Sequence, residues 1–448
     1  MRRLIAALTL VCLLDIAPIH AGVQITIYND NLALVKDTRD LKYQRGIFDL
    51  SFTDVASAID ATSVSFAAVK APGSVTLLEQ NYRYDLVSSE KILEKYIDKQ
   101  IRVLTKEGKL HEGALLAVDG AALTLRMNDG GLVIISRAEI ADLTFPSLPE
   151  GLITRPTLVW KLNSDIDGTH ASEVRYLTTQ INWTAQYVAH VNSAENELEL
   201  AGWVSIDNHS GATYDDAAIK LIAGDVNRVR PPMPRGKAGV EMMAMADGAG
   251  FEERAFFEYH LYTLQRPSTI RDNEIKQLSL FEPARVKAKK IFTYDGQRDE
   301  KKVRVSMEFM NSAEAGLGTP LPRGTIRVMK TDTDGSLEFV GEDQIDHTPK
   351  DEKVRALLGN AFDVVGERLQ TNHRQISERV AEDDFEIKLR NHKTEDIVVT
   401  VIERNWGDWK IIQQSHQNTK KDAFTAEWQI PVKADGETIL TYTVRRTW

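Results

Sequence analysis

The sequence predicts a mainly β protein: antiparallel β-sandwich domains, an inserted small barrel and little helix. Three observations predict it. Apolar residues recur two apart over most of the chain, the period that sets alternate side chains on one face of a strand. Asp, Asn and Gly cluster between those runs, where tight hairpin turns need them. One stretch, residues 88–97, combines a serine cap with apolar residues at helical spacing.

The N-terminus is read as a signal peptide. Arg2 and Arg3 precede an apolar run over residues 4–14, and small or helix-breaking residues (Ala17, Pro18, Ala21) follow. That run is too short to cross a hydrocarbon core of about 30 Å as a helix. Cleavage is expected after Ala21, with residues 1–21 removed and the mature chain exported. It would be periplasmic in a Gram-negative source and secreted otherwise. The sole cysteine, Cys12, lies inside the apolar run and lacks a lipoprotein box. The mature chain then has no thiol, which removes cysteine nucleophiles, thiolate metal sites and disulfides. The formal charge is −10. An acidic balance of this kind favours solubility and disfavours nucleic acid and anionic lipid. No later segment is long and apolar enough for a transmembrane helix.

Residues 22–90 read as an N-terminal β unit, with Asn29-Asp30-Asn31 turning between strands at 23–28 and 32–36. After the helix, strands at 100–105, 111–118, 122–127, 132–136 and 141–145 are separated by Asp/Gly turns. A helix leading into such a meander resembles an Sm-like or SH3-like barrel over residues 91–146. The Sm nucleotide pocket is missing, because no Asn closely follows Asp119 and no Arg-Gly pair follows Ile135. A structural or protein-binding module is expected, not one for RNA. Residues 146–156 form a proline-punctuated linker. Beyond it, strands through residue 294 give a central antiparallel domain, 155–295, in which residues 274–281 and 286–294 read as two strands. Seven more give an immunoglobulin-like sandwich, 296–448. Short helical segments are expected at 354–358 and within 372–380. Residues 230–250, rich in Pro, Gly and Met, read as a mobile surface loop.

Several blocks carry a family resemblance: YLTTQINWTAQYV at 176–188, GWVSIDNHSGATY at 202–214, LIAGDVN at 221–227, EYHLYTL at 258–264, HTPKDE at 347–352 and FEIKLRNHK at 385–393. In these the chain resembles a bacterial envelope family that includes the mucoidy-inhibitor-A-like proteins. The resemblance implies an exported, β-rich protein and carries no established activity with it. Relatives hold a coiled coil where this chain has its small barrel, so no coiled-coil partner is carried over.

Candidate chemistry is sparse. Glu258 and His260 alternate in an expected strand and would share a face, a carboxylate–imidazole pair suited to acid–base work. His347 and Asp351 bracket Pro349, which favours a turn in which both bond loop backbone. Asp332 to Gly335 resembles the start of a calcium loop without its downstream Glu, and reads better as a hairpin turn. Asn208, His209 and Ser210 lack the strand–turn–helix elbow of a serine hydrolase. Trp406 and Trp409, at an expected hairpin tip over 405–410, are candidates for stacking on a sugar or anchoring a partner. No metal site and no cofactor motif are read. The expectation is a non-catalytic envelope protein that binds a protein or glycan partner. The alternative is a hydrolase using His and carboxylates at a domain junction.

Overall fold

The computed structural model describes residues 22–224, 226–227, 251–332 and 334–448. The expected leader and the 230–250 loop lie outside them. Strands take 68% of the chain and helix 2%, so the class is mainly β. Among the described residues no helix is long and apolar enough to cross a membrane.

Gly22–Tyr28 and Leu32–Tyr43 form the antiparallel pair that their alternation predicts. Asn31 takes the left-handed conformation that closes the turn (φ 50°). Their outer edges are not free. Gly22–Tyr28 pairs in parallel with Tyr214–Ala223, and Leu32–Tyr43 pairs with Gly168–Thr178. Gly46–Thr53 and Val75–Arg83 flank Thr157–Ser164 in a second, three-stranded sheet. Residues 22–90 therefore have no sheet of their own, and their apolar faces join those of residues 157–356 in one core. Alternation identifies strands, but it does not name their partners.

The insert keeps its own core. Ser88 caps the helix Ser89–Lys95 by accepting the Lys91 N–H. Leu93 and Tyr96 from the helix pack with Ile101, Val103, Leu115, Leu123, Leu125 and Ile135. In its five-stranded sheet, Ile140–Thr144 lies beside Gln100–Thr105, followed by Leu110–Val118, Ala122–Met127 and Leu132–Ser136. The two outermost strands do not pair with each other, so the expected barrel does not close. Gly113 is needed inside this sheet, since a Cβ there would stand 2.5 Å from the Arg126 carbonyl oxygen.

The chain enters and leaves the insert side by side. Leu86 and Ile153 form a parallel bridge, and the Val87 N–H donates to the Ile153 carbonyl at 3.0 Å. Replacing residues 88–151 by a short Gly/Ser bridge should leave the melting temperature of the remainder within a few degrees of the full chain. Thermal unfolding checks this, and an aggregating remainder would show that the insert completes the main core.

Tyr259–Leu264 extends the first sheet beside Tyr214–Ala223, and a 13-stranded sheet, holding Ile181–Val191, Glu197–Asn208 and the strands from Glu274 onward, serves two cores. The first holds Leu278, Val286, Met307, Phe309, Ile326, Val328, Val354 and Ala356. The second holds Phe292, Tyr294, Val303, Val364, Phe385, Trp428 and Tyr442. Three strands thus run through both: Glu274–Tyr294, Lys302–Asn311 and Glu352–Ser377. The two cores divide these strands across their length, so no cut between residues 295 and 296 separates them.

Two expectations are corrected here. Residues 274–281 and 286–294 are one strand of 21 residues. Pro283, between the two expected strands, sits where the pairing with Glu197–Asn208 shifts register, so its missing N–H is tolerated. The helical segments expected at 354–358 and 372–380 fall on Glu352–Ser377, a 26-residue strand, and on Val380–Asn391, which follows it. Its first part pairs with Lys302–Asn311 and its second with Val380–Asn391. Sheet pairing along both halves outweighs the weak local preference for helix.

Candidate functional site

The four candidate titratable residues sit in separate local settings. Glu258 lies exposed in the turn between Phe251–Phe256 and Tyr259–Leu264, so it does not share a strand face with His260 as expected. Phe257 beside it takes φ 57°, which ends the strand before Glu258. His260 pairs instead with Glu253 across the hairpin, Nδ1 to Oε1 at 2.7 Å. His347 is held by loop groups: its Nδ1 accepts the Arg323 N–H at 3.1 Å, and its Nε2 lies 3.4 Å from the Asn29 amide. Asp351 is exposed, with φ 65°, and its own N–H donates to the Asn311 carbonyl at 2.7 Å. The residues around Asp332 to Gly335 link Gly324–Thr331 to Leu337–Ile345 as a hairpin turn. There the Ser336 side chain and N–H hold the Asp334 carboxyl below its ordinary range. Among the described residues no group of three or more His, Asp, Glu or Cys is placed to hold a metal ion.

The two tryptophans divide. Trp409 is 5% exposed and its indole N–H donates to the Ala423 carbonyl at 2.7 Å. Trp406 is 55% exposed and meets Trp448, itself 49% exposed, with ring centroids 5.3 Å apart. The expected hairpin is absent. Ile397–Arg404 pairs with Thr425–Val432, whereas Asp408–Gln414 pairs with Gly436–Thr447. Residues 405–407 therefore cross between strands that do not touch. Gly407 makes the crossing possible: it has φ 68°, and a Cβ there would approach the Thr447 carbonyl oxygen to 2.7 Å.

This crossing leaves a groove of about 540 Å³. One wall is Asp408, Trp409, Lys410 and Ile411; the other includes Asn418 and Lys420. Successive side chains of a strand point to opposite faces. Asp408 and Lys410 line it beside Thr447 and Arg445, their partners across the sheet, while Trp409 and Ile411 come from the opposite face, so the groove wraps around the strand's outer edge. The pairing agrees. Among the described residues, Asp408–Gln414 ends its sheet with an unpaired edge, and Asn418–Lys420 has a strand partner on one side, while on the other its Asn418 N–H donates to the Gln414 side-chain oxygen at 3.1 Å.

The groove is cationic. Lys420 stacks its ammonium 4.4 Å from the Trp409 ring centroid, and among the described residues neither Lys410 nor Lys420 forms an ion pair. Arg445, also lining the groove, is tied to Glu382. Trp406, Trp448 and Phe424 (62% exposed) cluster at one end, where the Asn405 N–H meets the Phe424 carbonyl and Asp408 pairs with Thr447. Sequence reading found the two tryptophans but missed Lys410, Asn418 and Lys420 as groove residues, because it took residues 405–410 as a hairpin tip. Compared with known proteins, no family model matches the chain and no curated protein matches it significantly.

Proposed function

We propose that this is an exported, non-catalytic protein of the bacterial cell envelope that captures a protein partner in the groove beside Trp409. The leader-like N-terminus and the family resemblance support the compartment. One observation carries the binding mode: the outer edge of Asp408–Gln414, which ends its sheet, borders the groove. An extended peptide there can add main-chain hydrogen bonds to an edge, while its alternate side chains meet the groove walls. Lys410 and Lys420 favour acidic side chains on that peptide. The Trp406–Trp448 pair gives an apolar residue a large, rigid surface at the groove's end.

Selection of random twelve-residue peptides by display on the mature protein tests this. Enrichment of an extended consensus, acidic at alternate positions, is expected. Lys410→Glu with Lys420→Glu should weaken the selected peptide at least tenfold, the equivalent of about 1.4 kcal/mol. Trp406→Ala should weaken it by a similar factor. No enrichment, a basic consensus, or binding indifferent to the charge reversal would each overturn the reading.

A further inference from the structure

Far from the groove, at the edge of the first core, lies a polar cavity of about 480 Å³. That size falls within the roughly 300–1,000 Å³ of small-molecule sites. Its walls are built from separate parts of the chain and are fixed before any ligand arrives. Asp37 is 4% exposed, and its carboxylate takes three N–H bonds from Arg39 at 2.6–3.1 Å. Arg39 also donates to the Thr53 carbonyl at 2.9 Å and lays its guanidinium 4.2 Å over the Phe52 ring. On the rim, Arg155 donates to both oxygens of Asp54 at 3.0 and 3.1 Å.

Another wall is the segment from Gly211 to Asp215, held from behind by Asn208 and Ser210. The Asn208 amide group donates to the Ala212 and Arg271 carbonyls, each at 2.9 Å, and its oxygen accepts the Ser210 hydroxyl at 2.8 Å. That hydroxyl's one proton is thereby used, so at the 3.0 Å Ser210–Tyr214 contact Tyr214 is the donor. The lone pairs of the Tyr214 oxygen remain. The wall cannot drift. Gly211 has φ 77°, its N–H donates to Asp272, and a Cβ there would sit 1.6 Å from the Ser57 hydroxyl oxygen.

Tyr176 decides what the cavity is for. It is 2% exposed and lines the space, and its oxygen accepts the Ala56 N–H at 3.5 Å. Among the described residues its own O–H finds no acceptor. Burial holds this phenol far above its ordinary pKa and pushes Tyr214 up to about 12, so both stay protonated at neutral pH. A buried donor without a partner is destabilising unless something enters to accept it.

We propose that this cavity binds a neutral sugar ring. Such a ring presents hydroxyls that both donate and accept. The two Arg–Asp pairs, the free Tyr176 proton and the free Tyr214 lone pairs offer both functions around one space. Val23, Val35 and Val55 supply an apolar patch for the ring's C–H face. The charges cancel within the two pairs, which leaves Asp215 in excess on the lining. That excess opposes phosphate, sulfate or uronate.

Saturation-transfer NMR and calorimetry on the mature protein with glucose, N-acetylglucosamine and rhamnose test the site, with glucuronate as the anionic control. At least one neutral sugar should bind saturably, and glucuronate at least tenfold more weakly. Tyr176→Phe keeps the ring and removes the free proton, so it should weaken the sugar at least tenfold with little change in melting temperature. Asp54→Ala, on the exposed rim, should weaken it severalfold. Failure of all three neutral sugars, equal binding of glucuronate, or a folded Tyr176→Phe with unchanged affinity would overturn the proposal. Reversing Lys410 and Lys420 should leave sugar binding intact, so this site stands or falls independently of the groove.

Discussion

Replacing Glu403 by alanine should destabilise the C-terminal sandwich by about 3–5 kcal/mol, the range for removing one partner of a buried ion pair. Glu403 is 1% exposed inside the second core. Arg368 grips it with two N–H bonds at 2.8 and 3.0 Å, and the Tyr442 hydroxyl donates to it at 2.6 Å. Burial, reinforced by that carboxylate, pushes the Tyr442 hydroxyl well above its ordinary range, so it remains a donor. The Arg368 guanidinium also lies 4.0 Å over the Phe385 ring. Without Glu403 the guanidinium stays half-buried beside aromatic rings, without the carboxylate that neutralises it. Glu403→Met together with Arg368→Met should recover most of the loss, because two apolar side chains leave no charge to solvate. Urea unfolding at pH 7, followed by tryptophan fluorescence, measures both. A single-variant loss under 1 kcal/mol would mean that water reaches this pair. Because Glu352–Ser377 runs through both cores, the first core should show part of the same loss.

Local pattern made the strands legible, and their partners were not. The period of two over residues 181–191 shows in a strand buried at every second residue from Ile181 to Val191. The same signal at 23–28 could not reveal that Gly22–Tyr28 lies parallel to a strand almost 200 residues later. Strand length was hidden for a related reason. Pro283 and the run Val354 to Leu358 look like interruptions locally, yet one falls at a register shift and the other alternates Val354 and Ala356 into a core. In the insert, the turns and the helix cap were readable, while closure depends on an edge-to-edge pairing that no short motif encodes. The cavity was the least visible feature. Asp37, Tyr176 and Tyr214 lie far apart in sequence and resemble ordinary strand residues there. Only the assembled structure shows that they line one cavity.

The second large effect is expected at Trp428. Trp428→Ala should cost about 3–5 kcal/mol, as for other large aromatic truncations in a packed interior. The indole is fully buried, and its ring centroid lies 5.0 Å from that of Tyr442. Its N–H also reaches out of the core, to the Gln414 side-chain oxygen and the His416 carbonyl, each at 3.1 Å. Gln414 ends the strand Asp408–Gln414, and His416 lies in the connection from it to Asn418–Lys420, the strands that face the groove. One side chain thus contributes core volume and fixes the spacing of the two edges. Trp428→Phe separates these roles. It keeps much of the ring and removes the donor, whose acceptors lie on residues open to water, so the loss should fall well below that of alanine. Peptide binding should still weaken at least tenfold, because the edges lose their tether. If Trp428→Phe binds the selected peptide as tightly as the unaltered chain, the groove's width is set elsewhere. Trp409, whose N–H ties strand 408–414 to Ala423, would then be the residue that holds it.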